Sequence, residues 1–229
     1  MITVFHTDYE EKNAIKKMME KKRTPVRLRK DEFMKDNLAT IKGRVLSVTE
    51  FKNLVYIHLF VKNGPAVNFP SVTCTTAEMK EIAKKLNKDD YVLITGRVGL
   101  RPKDIVKNGE KKTVYQNNIV AESITIRDPF TETSTSGRLF DDDSAELIGR
   151  FKILFLKKVN DNTVIINATD DARHVNLTRF SKSPESFMER YPVGSEIIVK
   201  ASIQTQRRET DGEKKHFTNL VITDIKAAV

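Results

Sequence analysis

The residues whose spacing best suits a chemical role in this chain are aromatic. From residue 55 the sequence runs Val-Tyr-Ile-His-Leu-Phe. Successive side chains on a β-strand point to opposite faces. Val55, Ile57 and Leu59 therefore share one face, an ordinary aliphatic core, and Tyr56, His58 and Phe60 share the other. Exposed rings stack on unpaired bases, at about 1–3 kcal/mol per base, and need no sequence match to do so. The same row could instead cover a second apolar layer or a subunit interface. Phe69, on the approach to the next strand, is expected to join this face.

Basic side chains form the second set. Arg97, Arg101, Lys103, Lys107, Lys111 and Lys112 crowd one predicted hairpin, with Tyr115 just beyond it. Arg207, Arg208, Lys214 and Lys215 crowd another, followed by His216 and Phe217. Cations interleaved with rings suit a groove that takes phosphate and base together. Glu110, Glu209 and Glu213 dilute the charge, which leaves a plain solvated hairpin as the alternative. Across the chain 40 Lys and Arg stand against 31 Asp and Glu, a formal net charge of +9, which points weakly to a polyanionic partner.

Other chemistries lack their residues. The histidines His6, His58, His174 and His216 and the single Cys74 have no metal-ligand spacing. Gly109-Glu-Lys-Lys-Thr resembles only the tail of a phosphate-binding loop, and it falls between two strands rather than between strand and helix. No nucleophile elbow is present. Asp141, Asp142 and Asp143 read as a solvated acidic run. No catalytic constellation, cofactor or metal is expected, and the chain is not expected to be an enzyme. One cysteine, an N-terminus unlike a signal peptide and no apolar run near the ~18 residues of a membrane span predict a soluble cytoplasmic protein.

The elements that must position these residues occur twice. Gly109 and Gly212, in the similar tips Asn-Gly-Glu-Lys-Lys and Asp-Gly-Glu-Lys-Lys, lie 103 positions apart. Gly43 and Gly149, in Ile-Lys-Gly-Arg-Val and Leu-Ile-Gly-Arg-Phe, lie 106 apart. Such a period is too long for a solenoid and is the size of a small domain. In the first copy strands are predicted at 39–48, 54–61, 71–75, 91–97 and 114–126, the third with a possible earlier start near Val67. A helix at 77–86 is capped by Thr76. In the second copy strands are predicted at 147–156, 164–168, 174–178, 196–204 and 216–225, with a helix at 184–190. Five strands with one helix between the third and fourth form the oligonucleotide-binding barrel pattern, which binds across strands 2 and 3 and through the 1–2 and 4–5 loops. The predicted fold class is therefore all-β with short helices: two such barrels in tandem, at 37–127 and 145–229, joined by a linker at 128–144. Residues 1–36 are predicted to form a helix and a basic arm carrying Arg23, Arg27, Arg29 and Lys30, read either as a packing helix with a solvated linker or as an arm on phosphate.

The copies differ at the face that would bind. Strand 2 of the second copy, Thr163 to Asn167, carries no aromatic residue. Its strand 3 turns His174, Asn176 and Thr178 outward, opposite Val175 and Leu177, with Phe180 at the end. Phe151 and Phe155 are expected to pack inside the barrel. Unequal binding by the two halves, or a partly structural second half, is expected.

The run from Leu86 to Val98, the tip Asn108-Gly109-Glu110-Lys111-Lys112 and the stretch from Val114 to Ile126 together resemble the bacterial-type single-stranded DNA-binding proteins. Asp211-Gly212-Glu213-Lys214 is the better copy of that family's hairpin tip. The resemblance covers about 85 residues of the first copy and the last third of the second. It implies that Tyr56, Phe60 and Tyr115 fall on strands that carry stacking residues. It also implies sequence-tolerant binding of single-stranded DNA in replication, recombination or repair, without enzymatic activity. The family usually assembles four barrels, so a homodimer is expected. Two departures stand out: the chain has no tryptophan, and it ends at Val229 without the acidic tail, tipped by Pro-Phe, through which the family recruits replication and repair enzymes. The duplicated barrel and the basic N-terminal arm suggest a divergent member, as from a phage or mobile element. The alternatives are a single-stranded RNA binder and a protein-interaction module of a replication assembly.

Overall fold

The computed structural model describes residues 37–63, 66–107, 110–127, 143–210 and 213–228. In the hairpin arms it describes the backbone but not the side chains of residues 103, 105–107, 110–112, 206–210 and 213–216. The predicted N-terminal helix and arm, with Arg23, Arg27, Arg29 and Lys30, and the linker from 128 to 142 lie outside the described residues.

The first copy forms a ring of paired strands. β1 (Leu38–Phe51) pairs antiparallel with β2 (Leu54–Asn63), and β2 with β4 (Ser71–Cys74). β4 runs parallel to β6 (Glu110–Arg127), β6 pairs antiparallel with β5 (Tyr91–Lys107), and β5 returns to β1. A short β3 (Ala66–Asn68) extends the end of β2. It stops before Pro70, which has no N–H to give a ladder, although the Pro70 carbonyl accepts from the Leu59 N–H at 2.9 Å. The second copy repeats the circuit: β7 (Ser144–Asn160), β8 (Thr163–Thr169), β9 (His174–Phe180), β11 (Glu213–Ala227), β10 (Glu196–Thr210) and back to β7. The fourth and fifth strands run almost to the hairpin tips, well past the predicted ends. The first hairpin has arms of 17 and 18 residues, the second of 15 and 15.

Each ring has its helix between its third and fourth strands in chain order, β4 to β5 and β9 to β10. α1 (Ala77–Lys84) begins as predicted: the Thr76 side chain accepts from the Met79 N–H at 3.3 Å. Glu78 in the first turn and Lys84 in the last match the helix dipole. The helix buries Met79 and Ala83. α2 (Pro184–Arg190) starts on a proline, whose missing N–H costs nothing there, and buries Phe187. The buried residues of both rings form one continuous cluster, including Ile41, Ile57, Leu59 and Ile94 of the first and Leu147, Phe151, Ile166 and Leu177 of the second.

The rings meet through equivalent residues. The fifth strand bulges in both rings, with Glu122 as the extra residue opposite the step from Thr95 to Gly96 and Thr223 opposite the step from Lys200 to Ala201. Gly96 pairs with Ala39 and Ala201 pairs with Leu147, so Ala39 and Leu147 occupy the same place in their rings. Ala39 and Leu147 pair with each other where β1 and β7 run antiparallel. Across the same bulges Gly96 faces Ala121 and Ala201 faces Ile222. Four residues earlier on those last strands stand Asn117 and Thr218, and these two also pair. Like meeting like at two places is the arrangement of a twofold dimer, here within one chain.

One packing expectation is overturned. Phe151 is buried as expected, but Phe155 is 55% exposed. The register of β7 against β8 slips between Ile153 and Phe155, leaving Leu154 as the extra residue of a bulge. A bulge shifts the two-residue period by one. Ile153 points in, the phase changes, and Phe155 points out while Leu156 takes the inner side. Thr178 departs less: it lies on the predicted face but is only 4% exposed, with its hydroxyl 3.5 Å from Asn219 Oδ1.

Candidate nucleic-acid interface

The alternation of β2 holds in three dimensions. Val55, Ile57 and Leu59 are buried, and Tyr56, His58 and Phe60 lie half-buried on the opposite face. β4 continues the outer face with Ser71 and Thr73, which stand in register with His58 and Tyr56. His58 Nδ1 and the Ser71 hydroxyl are 2.8 Å apart. The Thr73 hydroxyl donates to Asn118 Oδ1 at 2.8 Å, tying β4 to β6. Phe60 and the 45% exposed Phe69 meet edge to face, with centroids 5.9 Å apart. Phe69 thus joins the face as expected, held by Phe60.

Arg101 reaches this face from β5. Its guanidinium donates to the Tyr56 hydroxyl and lies 5.8 Å from the centre of the Tyr56 ring. The contact orients the ring and places a permanent cation beside it. A groove of about 690 Å³ opens here, lined by Tyr56, His58, Phe69, Ser71, Thr73 and Arg101. Gln116, Asn117 and Asn118 of β6 complete the ring-one wall, and Thr205, Phe217 and Thr218 come from ring two. Gln116 Oε1 and Thr205 Oγ1 are shielded from solvent and have no hydrogen-bond partner among the described residues.

Asn117 fixes the junction beneath the groove. Its side chain donates to the carbonyls of Asn176 (2.7 Å) and Thr218 (3.3 Å) and accepts from the Asn176 N–H at 2.9 Å. Asn37, also buried, makes a comparable set of bonds. It accepts from the Val98 N–H at 2.9 Å and donates to Val98 O at 2.6 Å and to Asp170 Oδ2 at 2.8 Å. A second cavity, of about 550 Å³, lies between Gly99, Leu100, Tyr115, Asn118 and Val120 of ring one and Ala172, Arg173 and His174 of ring two. Tyr115 is 62% exposed, and Asn118 borders both cavities.

The structure thus brings Tyr56, His58, Phe69, Arg101 and Phe217 to one groove, with Phe60 behind Phe69, and Tyr115 and His174 to the other cavity. Arg97 lines neither. It makes a 2.7 Å ion pair with Glu122 across the hairpin. Lys103, Lys107, Lys111 and Lys112 and Arg207, Arg208, Lys214 and Lys215 lie on the two hairpin arms, and their side chains are outside the described residues. Sequence reasoning missed Ser71, Thr73, Asn117 and Asn118. Ser71 and Thr73 were legible from alternation along β4, but Asn117 and Asn118 gain meaning only from the neighbouring strands.

Among the described residues, no group of three His, Cys, Asp or Glu side chains could hold a metal ion. Cys74 is buried behind β2, and burial pushes its thiol from about 9 up to about 11, so it is no nucleophile near neutrality. No helix among the described residues is long and apolar enough to cross a membrane.

No protein-family model matches the chain, and no curated protein matches it by sequence. Solved structures do match. The wild-type single-stranded DNA binding protein from Thermus aquaticus superposes with a TM-score of 0.55 at 10% identity, over 84% of this chain and 93% of that one. A deletion mutant of the same protein, also carrying R190A, gives 0.54 at 13% identity, over 84% and 94%. The chain has their fold. It is all-β and of the oligonucleotide-binding type, as the strand order predicted.

Proposed function

We propose that this chain binds single-stranded DNA without strong sequence preference and without enzymatic activity, coating unpaired strands in replication or recombination. The observation that carries this reading is the groove in which Tyr56, His58 and Phe69 stand beside Arg101, on a fold shared with a single-stranded DNA binding protein. Rings stack on bases, and Arg101 neutralises phosphate. Lys103, Lys107, Lys111, Lys112, Arg207, Arg208, Lys214 and Lys215 extend the cationic path along the hairpins, while Arg97 contributes less because Glu122 holds it.

Each closed circuit of strands is, on this reading, one oligonucleotide-binding barrel, with domains at 37–127 and 145–229. Two barrels in one chain raise the effective concentration of the second contact on the same strand. A homodimer would assemble four. The working compartment is the cytoplasm.

The test is fluorescence anisotropy with labelled oligo-dT of about 35 nucleotides at two salt concentrations, with duplex DNA and oligo-U as competitors. Tight, salt-sensitive binding that neither competitor displaces is expected. Preference for oligo-U would move the reading to RNA. No binding at low salt would overturn it and make the aromatic row a protein interface.

A further inference from the structure

The second ring has no aromatic residue on its second strand, yet it presents two exposed phenylalanines to solvent. Phe155 and Phe180 are each 55% exposed. Their positions follow from register. In ring one the rung just past the first-strand bulge is Ser47–His58–Ser71. In ring two the rung just past the corresponding bulge is Phe155–Asn167–Asn176. The aromatic residue has moved from the middle strand to the first, on the same outer face. Four rungs further along β8, Thr163 pairs with Phe180. Phe180 shares its face of β9 with Asn176 by the two-residue period. The two phenylalanines are separated by four residues along the strands and two strand spacings across them, about 16 Å in all. That is far enough for each to take a different base.

The setting is polar and cationic. Asn167 Nδ2 donates to Asn176 Oδ1 at 2.9 Å, an amide pair with donors and acceptors left over for base edges. Lys157 lies on the rung between the two phenylalanines, opposite Ile165, and Lys182 follows Phe180; both are exposed. Two carboxylates at that end, Asp161 and Glu185, are already held by Lys158 at 3.6 and 2.6 Å. The face is also continuous with ring one: Asn176 Nδ2 donates to the Tyr115 carbonyl at 3.4 Å, and Tyr115 and His174 line the same cavity.

We infer that the outer face of β7, β8 and β9 is a second single-strand subsite, in which Phe155 and Phe180 stack on bases and Lys157 meets the phosphate between them. The inference rests on the proposed binding of single-stranded DNA and adds that the second ring binds it through different residues. One strand would then pass from the Tyr56 groove, past Asn118 and Tyr115, to Phe155.

The chain contains no tryptophan, so a single introduced one reports its own site. Phe155→Trp and Phe180→Trp probe the second face, and Tyr56→Trp probes the first. Oligo-dT of about 70 nucleotides is expected to quench all three, and Phe155→Ala with Phe180→Ala is expected to weaken binding of that oligonucleotide at least fivefold per ring removed. Quenching of Tyr56→Trp with no response from Phe155→Trp or Phe180→Trp, at saturating oligonucleotide, would overturn the second subsite and leave the first intact. A changed molecular mass for the alanine pair, with unchanged DNA affinity, would also overturn it and make the face a protein interface. If no variant responds and the unmodified chain shows no anisotropy change, single-strand binding itself fails.

Discussion

Replacing Tyr56 and Arg101, singly and together, separates stacking from charge in the first groove. The two side chains touch twice, through the hydroxyl and over the ring. Tyr56→Ala removes one stacking platform, worth about 1–3 kcal/mol, so the dissociation constant for oligo-dT should rise ~5- to ~150-fold. The loss should be nearly the same at low and high salt, because a neutral ring releases no counterions. Arg101→Ala removes one phosphate contact, so the plot of log affinity against log salt should become shallower by about 0.7. Tyr56→Phe keeps the ring and deletes only the hydroxyl that accepts from Arg101, a loss of about 0.5–1.5 kcal/mol. The order of affinity should therefore be wild type, then Tyr56→Phe, then Tyr56→Ala. Because the two residues touch, the double variant should lose less than the sum of the single losses, by about 0.5–3 kcal/mol. The assay is anisotropy at four or more salt concentrations, with circular dichroism to confirm folding. Unchanged affinity in Tyr56→Ala, or a slope change in it as large as that of Arg101→Ala, would refute the stacking role.

Three further outcomes test the frame. A Cβ on Gly96 would sit 2.1 Å from the Val120 carbonyl oxygen, whereas one on Gly99 would meet only the flexible Arg173 side chain at 3.4 Å. Gly96→Ala should cost at least about 1–3 kcal/mol in urea denaturation, and Gly99→Ala should leave the midpoint nearly unchanged. Asn117→Asp should destabilise more than Asn117→Ala, because it turns an acceptor toward the carbonyls of Asn176 and Thr218; thermal melts would show the order. Cys74 should react with a thiol reagent only on unfolding. Its pKa is raised in the folded state, so its contribution to stability is present below about pH 9 and is lost as pH climbs toward about 11, which denaturation across that range would detect.

Where one strand's alternation decides the outcome, the amino-acid order sufficed. The period of two along β2 put Tyr56, His58 and Phe60 on the outer face, and β4 followed the same rule. The helix at 184–190, the Thr76 cap and the order of strands and helices were legible for the same reason: hydrophobic period and capping chemistry are local. Phe155 escapes that rule because its phase depends on a bulge, and a bulge exists only in the register of two strands. Arg97 and Arg101, four residues apart on one strand, looked alike in sequence. Folding gave Arg97 to Glu122 and Arg101 to Tyr56, since long side chains take whichever partner the neighbouring strands supply. The repeat announced two copies. That the copies pair through Ala39 with Leu147 and Asn117 with Thr218, so that ring two's Thr205 and Phe217 line ring one's groove, came only with tertiary structure. The rings join through the starts of β1 and β7, whose second edge stays unpaired within each closed circuit, and that spare edge is a property of the assembled ring rather than of either segment alone.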